Sequence, residues 1–102
     1  MARRAQPPGV QVDLPEWVVA EAKNPKGDMC LVSAAEDAYT ALGFAKFYGA
    51  DQHDACKELL RAGEKSLKTM ANPKAKKGLR CSAGDRAARK FWEAKVCARR
   101  SA

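Results

Sequence analysis

Alanine stands where most small domains carry leucine and isoleucine. Twenty of the 102 residues are Ala, none is Ile, and Leu, Val and Phe together number only 16. The hydrophobic fraction of 46% therefore overstates the core. Ala is the best helix former, but its side chain buries little area. A fully buried Leu or Phe contributes about 1.5–3 kcal/mol, against a backbone entropy cost on the order of 1–2 kcal/mol per ordered residue. Such a chain makes helices readily and is poorly supplied to hold them together alone. The expectation is an all-α chain of one small domain, ordered as a subunit within a larger assembly.

Punctuation along the chain divides it into an arm and four short helices. Pro7-Pro8-Gly9 excludes regular structure over residues 1–12, which read as an extended N-terminal arm lying on a neighbour. Residues 13–102 form the helical domain. Asp13-Leu14-Pro15-Glu16 predicts a helix over 14–23, stopped by Asn24-Pro25. Ser33-Ala-Ala-Glu36 has the form of a capping box and predicts a second helix over 34–49. On one side of it Ala34, Ala38, Ala41, Leu42 and Ala45 recur at steps of three and four, a stripe small enough for another helix to approach closely. Asp51 is placed to cap a third helix over 52–70, where Cys56, Leu59, Leu60, Gly63, Leu67 and Met70 share a face. Asn72-Pro73 ends it, and Lys74-Ala-Lys76-Lys77-Gly78 reads as a basic loop. Ser82 or Asp85 starts a fourth helix over 83–99, with Ala87, Ala88, Phe91, Ala94 and Ala98 on its inner stripe. The four helices are expected in a loose arrangement.

Charge is segregated along the chain. Residues 11–40 are net −4, whereas residues 61–102 carry thirteen Lys or Arg and are net +10, within an overall +7. The basic half suits RNA, anionic lipid or an acidic protein surface. Its candidate anion- or partner-binding residues are Lys74, Lys76, Lys77, Arg80, Arg86, Arg89 and Lys90, with Trp92 placed to stack on a base. No stretch approaches the ~20 apolar residues of a membrane span. No apolar segment follows Arg3-Arg4 as a secretory signal would require. The start Met-Ala-Arg-Arg-Ala-Gln is basic and faintly like a mitochondrial presequence, but Pro7-Pro8-Gly9 breaks the amphipathic helix, so an internal or uncleaved address is expected.

The residues that carry chemistry are few. The four Cys, at 30, 56, 81 and 97, show neither a Cys-x-x-Cys pair nor a twin Cys-x9-Cys spacing. If the last three helices run up, down and up, Cys30 and Cys81 both fall at the bottom and can approach the ~5.5 Å Cα separation of a disulfide. Cys56 and Cys97 both fall near the top, but Cys97 projects about 120° from the centre of its helix's apolar stripe. Cys30 and Cys81 are thus the better pair, and the plainer expectation is four free, partly buried thiols. His53-x-x-Cys56 has the spacing of two metal ligands on one helical turn but lacks a second paired motif. No phosphate loop, nucleophile–base arrangement or apolar carboxylate is visible.

The reading is a non-catalytic accessory subunit with no cofactor or metal, in a mitochondrial inner-membrane energy-converting complex such as a respiratory-chain complex or the ATP synthase. Its expected partners are other protein subunits and, through the basic half, anionic lipid headgroups or rRNA. Two other readings are a mitochondrial ribosomal protein gripping rRNA through residues 74–100 and an independent helical binding module.

Overall fold

A computed structural model describes residues 9–101. It contains α1 (Glu16–Lys23), α2 (Met29–Phe47), a 3₁₀ turn (Ala50–Gln52), α3 (Asp54–Ala71) and α4 (Lys77–Ser101), with no strand among the described residues. The fold is all-α with four helices, as expected from the sequence. The three longer helices pack compactly rather than loosely. The reason is the alanine: among the described residues, eleven of the twenty buried apolar ones are Ala.

α4 is the axis of the molecule. α2 lies along one side of it and α3 along another, while α2 and α3 scarcely meet. α1 packs on α2. Two glycines set the spacing. A Cβ at Gly84 would lie 2.7 Å from Ala34 Cβ of α2 and 2.8 Å from Met70 Sδ of α3, so all three helices converge there. A Cβ at Gly63 of α3 would lie 2.6 Å from Phe91 Cδ1 of α4; the Phe91 ring, fully buried, occupies that space instead. Small residues at a crossing let backbones approach, and one large ring then fills the gap that remains.

Several helix starts differ from the sequence reading, each for a local reason. α1 begins at Glu16 with Pro15 as its N-cap, not Asp13. The Pro15 carbonyl accepts from Val18 N–H at 3.0 Å, and the turn into the helix occurs at the ψ of Pro15, 154°. Asp13 lies two residues too early to reach the free N–H groups. α2 begins at Met29, five residues before the expected start, because Asp28 is the cap: its carboxylate accepts from Cys30 N–H at 3.0 Å and Leu31 N–H at 3.3 Å. Ser33 is an exposed residue in the second turn. Asp28→Ala is therefore expected to cost about 1 kcal/mol and Ser33→Ala almost nothing. Urea unfolding of the two variants checks the assignment, and the opposite order would restore the capping box.

Asp51 lies in the 3₁₀ turn, and α3 starts later, at Asp54 with His53 as N-cap. α4 starts six residues before the expected position, so Lys77 and Gly78 belong to it rather than to a loop. Ser82 does not cap it; its hydroxyl donates to the Gly78 carbonyl at 2.7 Å, one turn back. Finally, the described part of the arm lies on its own chain. The Gln11 carbonyl closes against Gly43 of α2, with Val12 Cγ2 3.5 Å from where a Cβ would stand. Residues 1–8 of the arm lie outside the described residues.

Candidate partner-binding surface

Two disulfides fix the ends of α4. Cys30–Cys81 joins the first turn of α2 to the second turn of α4, with Cα atoms 6.0 Å apart. Cys56–Cys97 joins the first turn of α3 to the C-terminal part of α4, with Cα atoms 5.7 Å apart. Both separations suit the bond. α2 thus runs parallel to α4 and α3 antiparallel to it. The expectation of four free thiols is overturned, since no described cysteine is free. The expected pair Cys30–Cys81 forms, and the disfavoured pair Cys56–Cys97 forms as well. Sixteen residues at 3.6 per turn place Cys81 and Cys97 about 160° apart around α4, so one reaches α2 and the other α3. A helix with two partners buries a wider arc than a single stripe, and Cys97 stands at its α3 edge. Cys56, spent in this bridge, is not available to pair with His53 as a metal ligand.

The seven predicted basic residues do not act as one surface. Lys74 and Lys76 are exposed in the turn from α3 into α4, Lys77 is exposed at the first residue of α4, and Arg86 and Arg89 are exposed along its outer face. Lys90 is half-buried and pairs with Glu93 at 3.6 Å. Arg80 has turned inward. Its Nε donates to the Met70 carbonyl at 2.7 Å, satisfying an acceptor in the last turn of α3, and its guanidinium lies 5.2 Å from the centre of the Trp17 ring. Arg80 thus ties α1, α3 and α4 together. The predicted helix-packing face is placed in the interior: Ala34, Ala38, Ala41 and Ala45 are buried and half-buried Leu42 packs on the same core.

Trp92 is half-buried at the α2 edge of α4, its ring centre 5.2 Å from that of Phe44. Lys95 lies over Phe44, Tyr48 and Trp92, with Nζ 5.3, 5.7 and 5.1 Å from the three ring centres. Arg99 adds a second cation 5.4 Å from Tyr48. This cluster joins the ends of α2 and α4 at the pole where Cys56–Cys97 joins α3, and it was not foreseen. The signal available was the i, i+3 and i, i+4 spacing of Trp92, Lys95 and Arg99, but the partner rings come from a helix whose register the sequence leaves open. Burial raises the Tyr39 phenol above its ordinary value, partly offset by a hydrogen bond with Trp17. Exposed Asp54 is lowered by Lys57 one turn on, 3.0 Å away.

Two regions of the outward surface are candidates for binding. At one pole, the Cys30–Cys81 bridge brings the α1–α2 turn beside the α3–α4 turn. Lys23, Lys26, Lys74, Lys76 and Lys77 are exposed there, none of them in an ion pair among the described residues. Met29, next to Cys30, and Leu79, two residues before Cys81, are 60% and 49% exposed. The two carboxylates of this pole, Glu21 and Asp28, accept backbone N–H bonds from Asp28 and from the first turn of α2. Along the outer face of α4, a shallow open depression of about 450 Å³ is lined by Leu59, Trp92, Val96 and Cys97, with Glu93 and Arg100 beside them. Compared with family models, curated proteins and solved structures, the chain matches none of them.

Proposed function

We propose that this chain is a non-catalytic accessory subunit of a multiprotein assembly at the thiol-oxidising face of an energy-converting membrane, the mitochondrial inner membrane in the reading its composition favours. The observation that carries the proposal is how its chemically capable side chains are spent. All four cysteines are in bridges, Asp28 caps α2, and Arg80 holds the end of α3. The outward face includes a lysine pole and scattered aliphatic side chains, which suits docking. Two disulfides in a small helical chain support an oxidising compartment, because cytosol-like compartments keep thiols reduced. On a mitochondrial address that means the intermembrane-space side rather than the matrix.

The bridges also revise one premise of the subunit reading. A thin core no longer requires a covering partner, since the chain carries its own cross-links. The fold supports an attached subunit more than an obligately co-folded one. Withdrawal of Arg80 and pairing of Lys90 leave the ribosomal reading with a divided set of cations. Detergent extracts of the source cells, separated by sedimentation, test the proposal. The chain is expected to travel with one large membrane-protein particle and to be released from it folded by high salt. Migration at 11.1 kDa alone would favour an independent module, and migration with ribosomal subunits would overturn the proposal in favour of rRNA binding.

A further inference from the structure

We propose that the lysine pole is a docking surface for a bilayer rich in anionic phospholipid. The Cys30–Cys81 bridge holds two turns, 24–28 and 72–76, side by side at one end of the molecule. Five exposed lysines belong to that end, and its acids Glu21 and Asp28 are engaged by backbone N–H groups. Met29 and Leu79, in the first turns of the two bridged helices, are aliphatic side chains more than half or nearly half exposed. Neither contributes to the core described above. Exposed cations and exposed apolar side chains at one end match a headgroup layer: the ammonium groups meet phosphates while the apolar side chains enter the acyl boundary.

The composition of the pole favours lipid over nucleic acid. Its exposed cations are all lysine, which acts as a point charge, whereas planar, forked arginine is the residue of choice for nucleic-acid recognition. The arginine near this pole, Arg80, is turned inward, and the aromatic near it, Trp17, lies under that guanidinium. Arg86 and Arg89 stand farther along α4 and provide an internal control. This inference deepens the membrane part of the proposed function by naming a lipid partner. Its failure is separable, because the chain would still sediment with a protein particle if lipid contributed nothing.

The test is sedimentation of the purified, oxidised full chain with vesicles of phosphatidylcholine, with and without phosphatidylserine. Binding is expected only with phosphatidylserine and should weaken steeply with added salt. Each lysine near an anionic surface is worth about fivefold in partitioning, so K74E/K76E/K77E should lose a hundredfold or more. M29S/L79S should bind more weakly than the parent at the same charge, and R86E/R89E should stay within a few-fold of it. Thermal melts of each variant separate loss of binding from loss of fold. Equal binding to both vesicle types, no binding to either, or equal loss in R86E/R89E and the lysine variant would overturn the proposal. So would tighter, lysine-dependent binding to single-stranded RNA than to vesicles.

Discussion

Replacing Cys30 and Cys81 with serine is expected to lower the melting temperature by about 15–30 °C. The two bridges have sequence separations of 51 and 41 residues, and closing loops of that length restricts the unfolded chain by about 4 kcal/mol each. The bridges interleave, since Cys56 lies inside the span from Cys30 to Cys81 while Cys97 lies outside it. The second bond therefore closes a chain already shortened by the first, so either bridge lost alone costs somewhat less than this and losing both costs more than twice a single loss. The combined loss is comparable with the whole stability of a small domain, about 5–15 kcal/mol. Full reduction should leave a chain that keeps much of its far-ultraviolet helical signal and loses its sharp melt, because Ala-rich helices persist while their packing does not. A reduced protein that still melts cooperatively within about 5 °C of the oxidised one would show that the alanine core suffices unaided.

Phe91→Ala is the second large effect. Phe91 is fully buried in the middle of α4, and its ring takes the space beside Gly63 where a side chain would otherwise stand. Truncation leaves a cavity, and such losses cost about 3–5 kcal/mol. The value should fall near the top of that range, since disulfides at both ends of α4 limit how far α2 and α3 can close in. Gly63→Ala alone is expected to cost about 1–3 kcal/mol by overpacking against the same ring. The two changes should offset each other in part when Phe91 is made Leu, a coupling that urea titration of the double-mutant cycle would measure. Strict additivity would contradict the close Gly63–Phe91 packing.

Much of this architecture was legible from residue pattern. The Ala34–Ala38–Ala41–Ala45 stripe and the Cys56–Leu60–Gly63–Met70 face are where the core lies, and Asn24-Pro25 and Asn72-Pro73 end helices as proline chemistry requires. What escaped was tertiary. Ser33 and Asp28 are both good caps, and only the Cys30 bridge and the burial of Leu31 and Val32 favour the earlier start. Gly84 suggests a helix end by propensity, yet it lies inside α4 because three helices converge there. Cys97 lies off the stripe of a helix with one neighbour, but α4 has two, and Cys97 stands at the edge that meets α3. Arg80 was grouped with the surface cations by type, and nothing in its neighbours along the chain reveals that it bonds to the Met70 carbonyl. The proposed docking surface is accordingly half legible: Lys74, Lys76 and Lys77 and the Cys30–Cys81 pairing can be read from the sequence, but their gathering with Lys23, Lys26, Met29 and Leu79 cannot.

Two interleaved bridges cross-link this alanine-cored helical chain, and the proposed function sets it in an oxidising compartment. Thiol trapping in the source cells tests it most directly. Cells are quenched in acid, free thiols are alkylated, and the chain is weighed intact and then as unreduced peptides. The account predicts that none of the four cysteines takes up label and that the peptides join Cys30 to Cys81 and Cys56 to Cys97. Four labelled cysteines, or a different pairing, would contradict it.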